Sequence, residues 1–212
     1  MDYPSPRSRP ATFSFLALMA GVYLGQLALA GSLSSEAAFT VIDGLHWFVY
    51  TLLNPWLHSY HLHILQNALI VGLLGWWAEG TVGSDSFTIA VILSGYTTNL
   101  APYFVGLGGL GVGASGITNM LWAFFLASQL LGYMHAMAAE QGSKRQAMIH
   151  LGWVFVALIF VVKTVAEFVG YIPAPDNAAT GAHLLGVLLG FCWFILRHTD
   201  LTARIPFDVQ AS

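Results

Sequence analysis

The chain has 212 residues, 57% of them hydrophobic and only 8% charged, with a formal net charge of −3. Soluble domains carry about 25% charged residues, so the composition excludes an ordinary soluble domain and points to an integral membrane protein. Its seven Lys and Arg residues never cluster beyond pairs, which argues against a nucleic-acid partner, and its lone cysteine, Cys192, excludes an internal disulfide.

Apolar runs of about 17–25 residues span a bilayer as helices. Six are predicted in chain order: Phe13–Ala30, His61–Ala78, Phe87–Val105, Ser115–Met134, Ile149–Val169 and Gly181–Leu196. No spacer is long enough for a separate soluble domain, and no solenoid repeat period is present. The expected fold is therefore all-α: one transmembrane domain over 1–212, a compact bundle of six helices. The first run has a second reading. Arg7 and Arg9 precede it and "ALAG" ends it, as in a cleaved secretory signal, but the run exceeds the usual 7–15 apolar residues, which favours a retained helix.

Of the basic residues, Arg7 and Arg9 precede the first run, Lys144 and Arg145 lie between the fourth and fifth, and Arg197 and Arg204 follow the sixth. Placing both termini in the cytoplasm puts all six on the inner side, as the positive-inside rule requires. The second, fourth and sixth helices then all begin at the outer face. Their first turns carry His61, His63 and Asn67, then Ser115 and Asn119, then His183. Polar groups at that depth are costly unless paired, so they are expected to face one another across the bundle interior or a water cavity.

Serine is a weak nucleophile until a neighbouring base activates it and donors receive the oxyanion. Ser115 sits where a helix begins, with free N–H groups and a favourable dipole end, and the glycines of 106–116 allow close backbone approach. His183 is the candidate base. His63 and Asn67, four apart, share a helix face and either can donate to an oxyanion. Plainer readings stand beside these. A small-Ser-Gly run also packs helices together, and Ala182, Gly186 and Gly190 form a small-xxx-small stripe beside His183. A lone intramembrane histidine also serves as a proton relay. The polar groups taken together, on one side of three helices, weigh more than any one. A metal reading rests on His58 and His61, an i, i+3 pair, but no HExxH pattern occurs and Glu79 is sixteen residues beyond His63. No metal and no cofactor are expected.

Four ordered pieces resemble the rhomboid family of intramembrane serine proteases. "HSYHLHILQN" (58–67) is similar to its H-x₄-H-x₃-N block, giving His58, His63 and Asn67. "WWAEG" with Gly83 is similar to the Glu-containing end of the second helix. "GASG" (113–116) matches the G-x-S-G nucleophile motif, and "GAHLLGVLLG" (181–190) the histidine motif of the sixth helix. The resemblance covers roughly Leu57 to Leu196. It implies a Ser–His dyad, with Ser115 as nucleophile and His183 as base and then acid. It also implies an oxyanion hole of His63, Asn67 and the Ser115 N–H. Gly113 belongs to the nucleophile motif, Glu79 ties the second helix to its neighbours, and Gly83 allows a tight turn. The segment 31–57 would be a membrane-surface loop and 170–180 a mobile cap.

There are two departures. The first outer loop reads "HWFVY" (46–50) without the family's Trp-Arg, though it keeps the aromatic character of an interfacial segment. Four residues after the serine, Asn119 stands where many members carry a tyrosine stacked on the histidine. Asparagine cannot stack, but its amide can bond, so a hydrogen bond from Asn119 to His183, direct or through water, is expected. Lys163 and Glu167, an i, i+4 pair in the fifth helix, are read either as an internal ion pair or as a polar flank of the substrate gate.

The function expected is that of an intramembrane serine endopeptidase cleaving transmembrane segments of other proteins near the outer face. Its partners are transmembrane substrates and the lipid bilayer. Its location is multi-pass in a membrane, of the prokaryotic plasma-membrane kind. The alternatives are a catalytically inactive rhomboid-like protein that binds membrane helices, and a small transporter using the histidines and Lys163–Glu167. An inactive relative would typically have lost Ser115 or His183, and a transporter would more often show an internal repeat.

Overall fold

The computed structural model describes residues 9–105, 111–138, 144–173 and 179–198. Arg7, Arg204, the glycines within 106–110 and positions 174–178 of the expected cap lie outside the described residues. Among the described residues there are helices and no strands. The helices are α1 (Pro10–Ala30), α2 (Ser35–Asp43), α3 (Trp47–Leu53), α4 (His61–Ile70), α5 (Trp76–Val82), α6 (Ser84–Phe104), α7 (Ser115–Ala138), α8 (Lys144–Phe168) and α9 (Thr180–His198), with a π turn, Val71–Gly75, between α4 and α5.

All six predicted runs are helical, with different ends. Pro10 opens α1 three residues early, because proline at the first helical position lacks only an N–H that would be unpaired anyway. Gly31, with φ of 61°, closes it in the left-handed conformation. The second run continues past Ala78 to Val82, and its middle is the π turn, which no periodicity announces. Gly83 alone separates α5 from α6, and its φ of 84° is the positive value that lets a single residue reverse the chain. The segment 31–57, expected as a loop, holds two short helices instead. Ser34 caps α2 by accepting from the Ala37 N–H, and His46 caps α3 by accepting from the Phe48 N–H.

Among the described residues, four helices are long and apolar enough to cross a membrane: α1, α7, α8 and α9. The other two predicted runs are interrupted or more polar. One contains the π turn, and α6 buries Ser94, Thr98 and Asn99.

The core centres on α7, which buries Ile117, Met120, Leu121, Phe124 and Phe125 among α8, α9 and the second run. Trp122 stacks on Phe160 of α8 at 4.1 Å, and Phe124 on Trp193 of α9 at 4.2 Å. In lipid, association rests on such packing and on close backbone approach rather than on hydrophobic burial. The glycines of α9 supply that approach. A Cβ on Gly186 would lie 2.3 Å from the Gly116 carbonyl oxygen, and one on Gly190 would lie 2.3 Å from that of Met120. The residue offset is 70 in both pairs, so α7 and α9 run parallel with a fixed register. The outside is apolar, with Phe155, Ile159, Val162 and Leu188 exposed, which suits a lipid-facing surface.

Candidate functional site

The segment 111–114 leads into α7, and α3 with its C-cap Asn54, together with α6, holds its backbone. The Gly113 N–H donates to the Asn54 carbonyl at 2.7 Å, and the Gly111 N–H to the Asn99 carbonyl at 2.9 Å. The Asn99 amide donates to the Gly113 carbonyl at 3.0 Å, and the Tyr50 hydroxyl to the Gly111 carbonyl at 2.9 Å. Gly113 has two reasons to be glycine. Its φ is 97°, and a Cβ there would meet the His63 ring at 2.7 Å. His63 of α4 therefore lies directly against the start of α7.

His183 reaches the same level from α9. The 70-residue offset between α7 and α9 puts position 183 beside position 113, two residues before Ser115. His183 also acts electrostatically on His63, and Glu167 and Lys163 of α8 act on His183. Ser115 and His183 are both half-buried, and among the described residues no hydrogen bond joins them. Catalytic hydrogen bonds are often long without substrate and tighten on its arrival.

Among the described residues, two side chains on α4 have buried nitrogens without a partner, Nδ1 of His63 and Nδ2 of Asn67. Asn67 is only 3% exposed. Buried polar atoms nearly always find a partner, so two orphans one helical turn apart call for an explanation. A developing oxyanion would accept hydrogen bonds from such donors, and so would an ordered water.

The remaining expected residues divide. Glu79 is 1% exposed and accepts from the N–H groups of Ala11 and Thr12, the Thr12 hydroxyl and the Ser84 hydroxyl at 2.7–3.0 Å. It joins α5 to the starts of α1 and α6. His61 departs from the expected cluster. It is exposed, and its ring bonds the Tyr23 hydroxyl and the Leu33 carbonyl, each at 2.8 Å. At about 100° per residue, two positions turn it roughly 200° away from His63. His58 is fully buried and its Nδ1–H donates to the Trp56 carbonyl at 2.9 Å. Burial first, and His63 second, push its pKa down to about 3. Lys163 and Glu167 form an ion pair, with Glu167 buried and Lys163 more than half exposed.

Asn119 makes no direct hydrogen bond to His183 among the described residues. Its Nδ2 donates to the Ser115 carbonyl at 2.8 Å, and its Oδ1 accepts from the Thr164 hydroxyl of α8 at 2.7 Å. One turn beyond Ser115, the amide falls within reach of the carbonyl four residues back, and its other end faces α8 instead of α9. Asn54, Asn99, Tyr50 and Thr164 were missed from sequence. Only Asn99 left a signal, as an amide inside an apolar run, where a polar group needs a partner. Asn54 and Tyr50 act partly through backbone or loop geometry that no residue pattern encodes.

The described residues contain no group of three or more metal-ligating side chains. Comparison with curated proteins finds no match. The family model for the rhomboid domain matches residues 46–199, a span that includes α3 to α9 and every residue of the arrangement above except the α1 contacts to Glu79 and the His61 partners Tyr23 and Leu33. With its apolar helices and all-helical architecture, this integral membrane protein belongs to the rhomboid family.

Proposed function

We propose that the chain is an intramembrane serine endopeptidase that cuts transmembrane segments of other proteins. The observation that carries this reading is the pair of unpartnered buried nitrogens, His63 Nδ1 and Asn67 Nδ2, next to a glycine-bound helix start that bears a half-buried serine. Ser115 attacks the scissile carbonyl and His183 takes its proton, then returns it to the leaving amine. The oxyanion collects the Ser115 N–H, which the first turn of α7 leaves free, together with His63 and Asn67. Gly113 and Glu79 support this geometry, one by leaving room for His63 and the other by fixing α5. Asn119 fixes the first turn of α7 to α8. The chemistry needs no metal or cofactor.

The finer architecture is part of the proposal. The chain forms one domain of six spanning segments with cytoplasmic ends, in a prokaryotic plasma membrane. His61 to Val82 is helical without a break, and at about 1.5 Å per residue its length of roughly 33 Å covers a hydrocarbon core of about 30 Å. A second reading, an inactive member that binds membrane helices, is favoured by one observation, the missing hydrogen bond between Ser115 and His183. Cleavage of a generic helical substrate in detergent separates the two. Wild type should cleave, and Ser115→Ala and His183→Ala should each abolish turnover while keeping the wild-type melting temperature. The double variant should be no worse than either, since residues acting as a unit are not additive. Turnover near the wild-type rate in Ser115→Ala would defeat the protease reading.

A further inference from the structure

A groove of about 710 Å³ runs between α6 and α9, away from Ser115 and His183. Its length is apolar, walled by Ile89 and Leu93 on one side and Leu189 and Trp193 on the other. Both charged residues that line it, Asp85 and Arg197, are at one end. From Asp85 to Ser94 α6 rises about 14 Å, and from Arg197 back to Leu189 α9 rises about 12 Å. That is about half of a 30 Å hydrocarbon core. The groove is therefore one leaflet deep. A partner helix crossing the membrane would need twice that length of contact.

The charged end carries one group of each sign. Arg197 is held there by a hydrogen bond from Nη2 to the Val82 carbonyl at 3.2 Å. Among the described residues no carboxylate lies within ion-pair distance of it. Asp85 is exposed in the first turn of α6. A guanidinium matches a phosphate in shape and charge, and a carboxylate matches an ammonium. Both are found together on one zwitterionic headgroup.

We propose that this groove binds one glycerophospholipid with an ammonium-bearing headgroup, its acyl chain in the apolar trough, its phosphate on Arg197 and its ammonium on Asp85. The lipid fills the gap between α6 and α9, which the side chains of the two helices leave open. Asp85, Arg197 and the four wall residues named above lie outside the catalytic arrangement, although Ser84 in the lining also bonds Glu79 and Met120 also meets Gly190.

Native mass spectrometry on delipidated full-length protein tests it. The protein is titrated separately with phosphatidylethanolamine and phosphatidylglycerol of identical chains. Wild type should retain one phosphatidylethanolamine under activation that strips other lipids. Arg197→Gln should lower retention by about tenfold or more, the scale of one lost charge-assisted hydrogen bond. Arg197→Lys should recover most of it. Asp85→Asn should erase the preference for phosphatidylethanolamine over phosphatidylglycerol. Arg145→Gln, a cation at the start of α8 outside the groove, should change nothing. All three substituted side chains, Arg197, Asp85 and Arg145, are exposed, and melting curves confirm that each variant folds. Equal retention by wild type and Arg197→Gln would overturn the proposal, as would equal retention of both lipids by wild type. Wild-type protein retaining no lipid would also overturn it, leaving the groove to residues 199–212 or to another chain.

Discussion

Asn67 is an amide that the fold buries without satisfying. A buried donor left unpaired costs about 1–3 kcal/mol, so its presence in the fold alone is destabilising. If the amide waits for an oxyanion, Asn67→Ala should lower kcat by about 10²–10³. Labelling of Ser115 by a fluorophosphonate should persist, since the base is His183. The melting temperature should not fall, because the orphan is removed with the side chain. Normal turnover would deny Asn67 a role in the transition state. His58 makes a different prediction. Its pKa of about 3 in the folded chain lies below the value of about 6.5 expected when unfolded. Above pH 6.5 neither state is protonated and His58 has no effect on the pH dependence. Below it, the unfolded chain takes up a proton that the folded chain refuses. Stability should therefore fall between about pH 6.5 and 3, by at most about 1.4 kcal/mol per pH unit. Melting temperatures of wild type should decline across that window, and those of His58→Gln should decline less. Parallel curves would assign the acid sensitivity to other groups.

Between elements, two kinds of contact set the site. Packing of Gly186 and Gly190 on the carbonyls of Gly116 and Met120 fixes the register of α9 on α7, and with it the height of His183. A polar tie fixes α8. Thr164 donates to Asn119, which donates to the Ser115 carbonyl, so one amide links the nucleophile's own peptide to a second helix. Interhelical hydrogen bonds in membranes are worth about 0.6 kcal/mol on average and up to about 1.7. Asn119→Leu and Thr164→Val should each lower the unfolding free energy by an amount of that order, read as a fall in melting temperature. The double variant should lose less than the sum, because the two side chains share one bond. Fully additive losses would mean that the tie contributes nothing. A fall in kcat at unchanged melting temperature in Asn119→Leu would instead restore a role in orienting His183. The π turn at Val71–Gly75 lies on the second run below His63 and Asn67. Such turns often adjoin functional sites because they redirect the helix face that follows.

For the whole molecule, the arrangement of basic residues predicts sidedness. In a Cys192→Ser background, Lys144→Cys at the start of α8 should react with a membrane-impermeant maleimide only after the membrane is opened. Ser32→Cys, exposed between α1 and α2, should react in intact spheroplasts. The opposite pattern would invert the topology, and labelling of both from one side would break the six-span proposal. Much of this scale was legible from sequence, because a bilayer demands long apolar runs with internally satisfied backbones. The apolar runs of the six helices, the i, i+4 pairing of His63 with Asn67, and the glycine-rich start of α7 are local properties of the chain. Helix ends, the π turn and the two short helices before His58 were not legible, since caps and interfacial contacts decide them. Nor could the sequence reveal which residues hold the segment 111–113. Asn54, Asn99 and Tyr50 meet it from elements that are 12–61 positions distant. Asn119 is the clearest case. Its spacing from Ser115 placed it one turn along the same face, and helical geometry alone determines that. Whether its free end would meet α8 or α9 depended on how three helices rotate about one another, and packing of glycine on carbonyl settles that rotation only once the chain is folded.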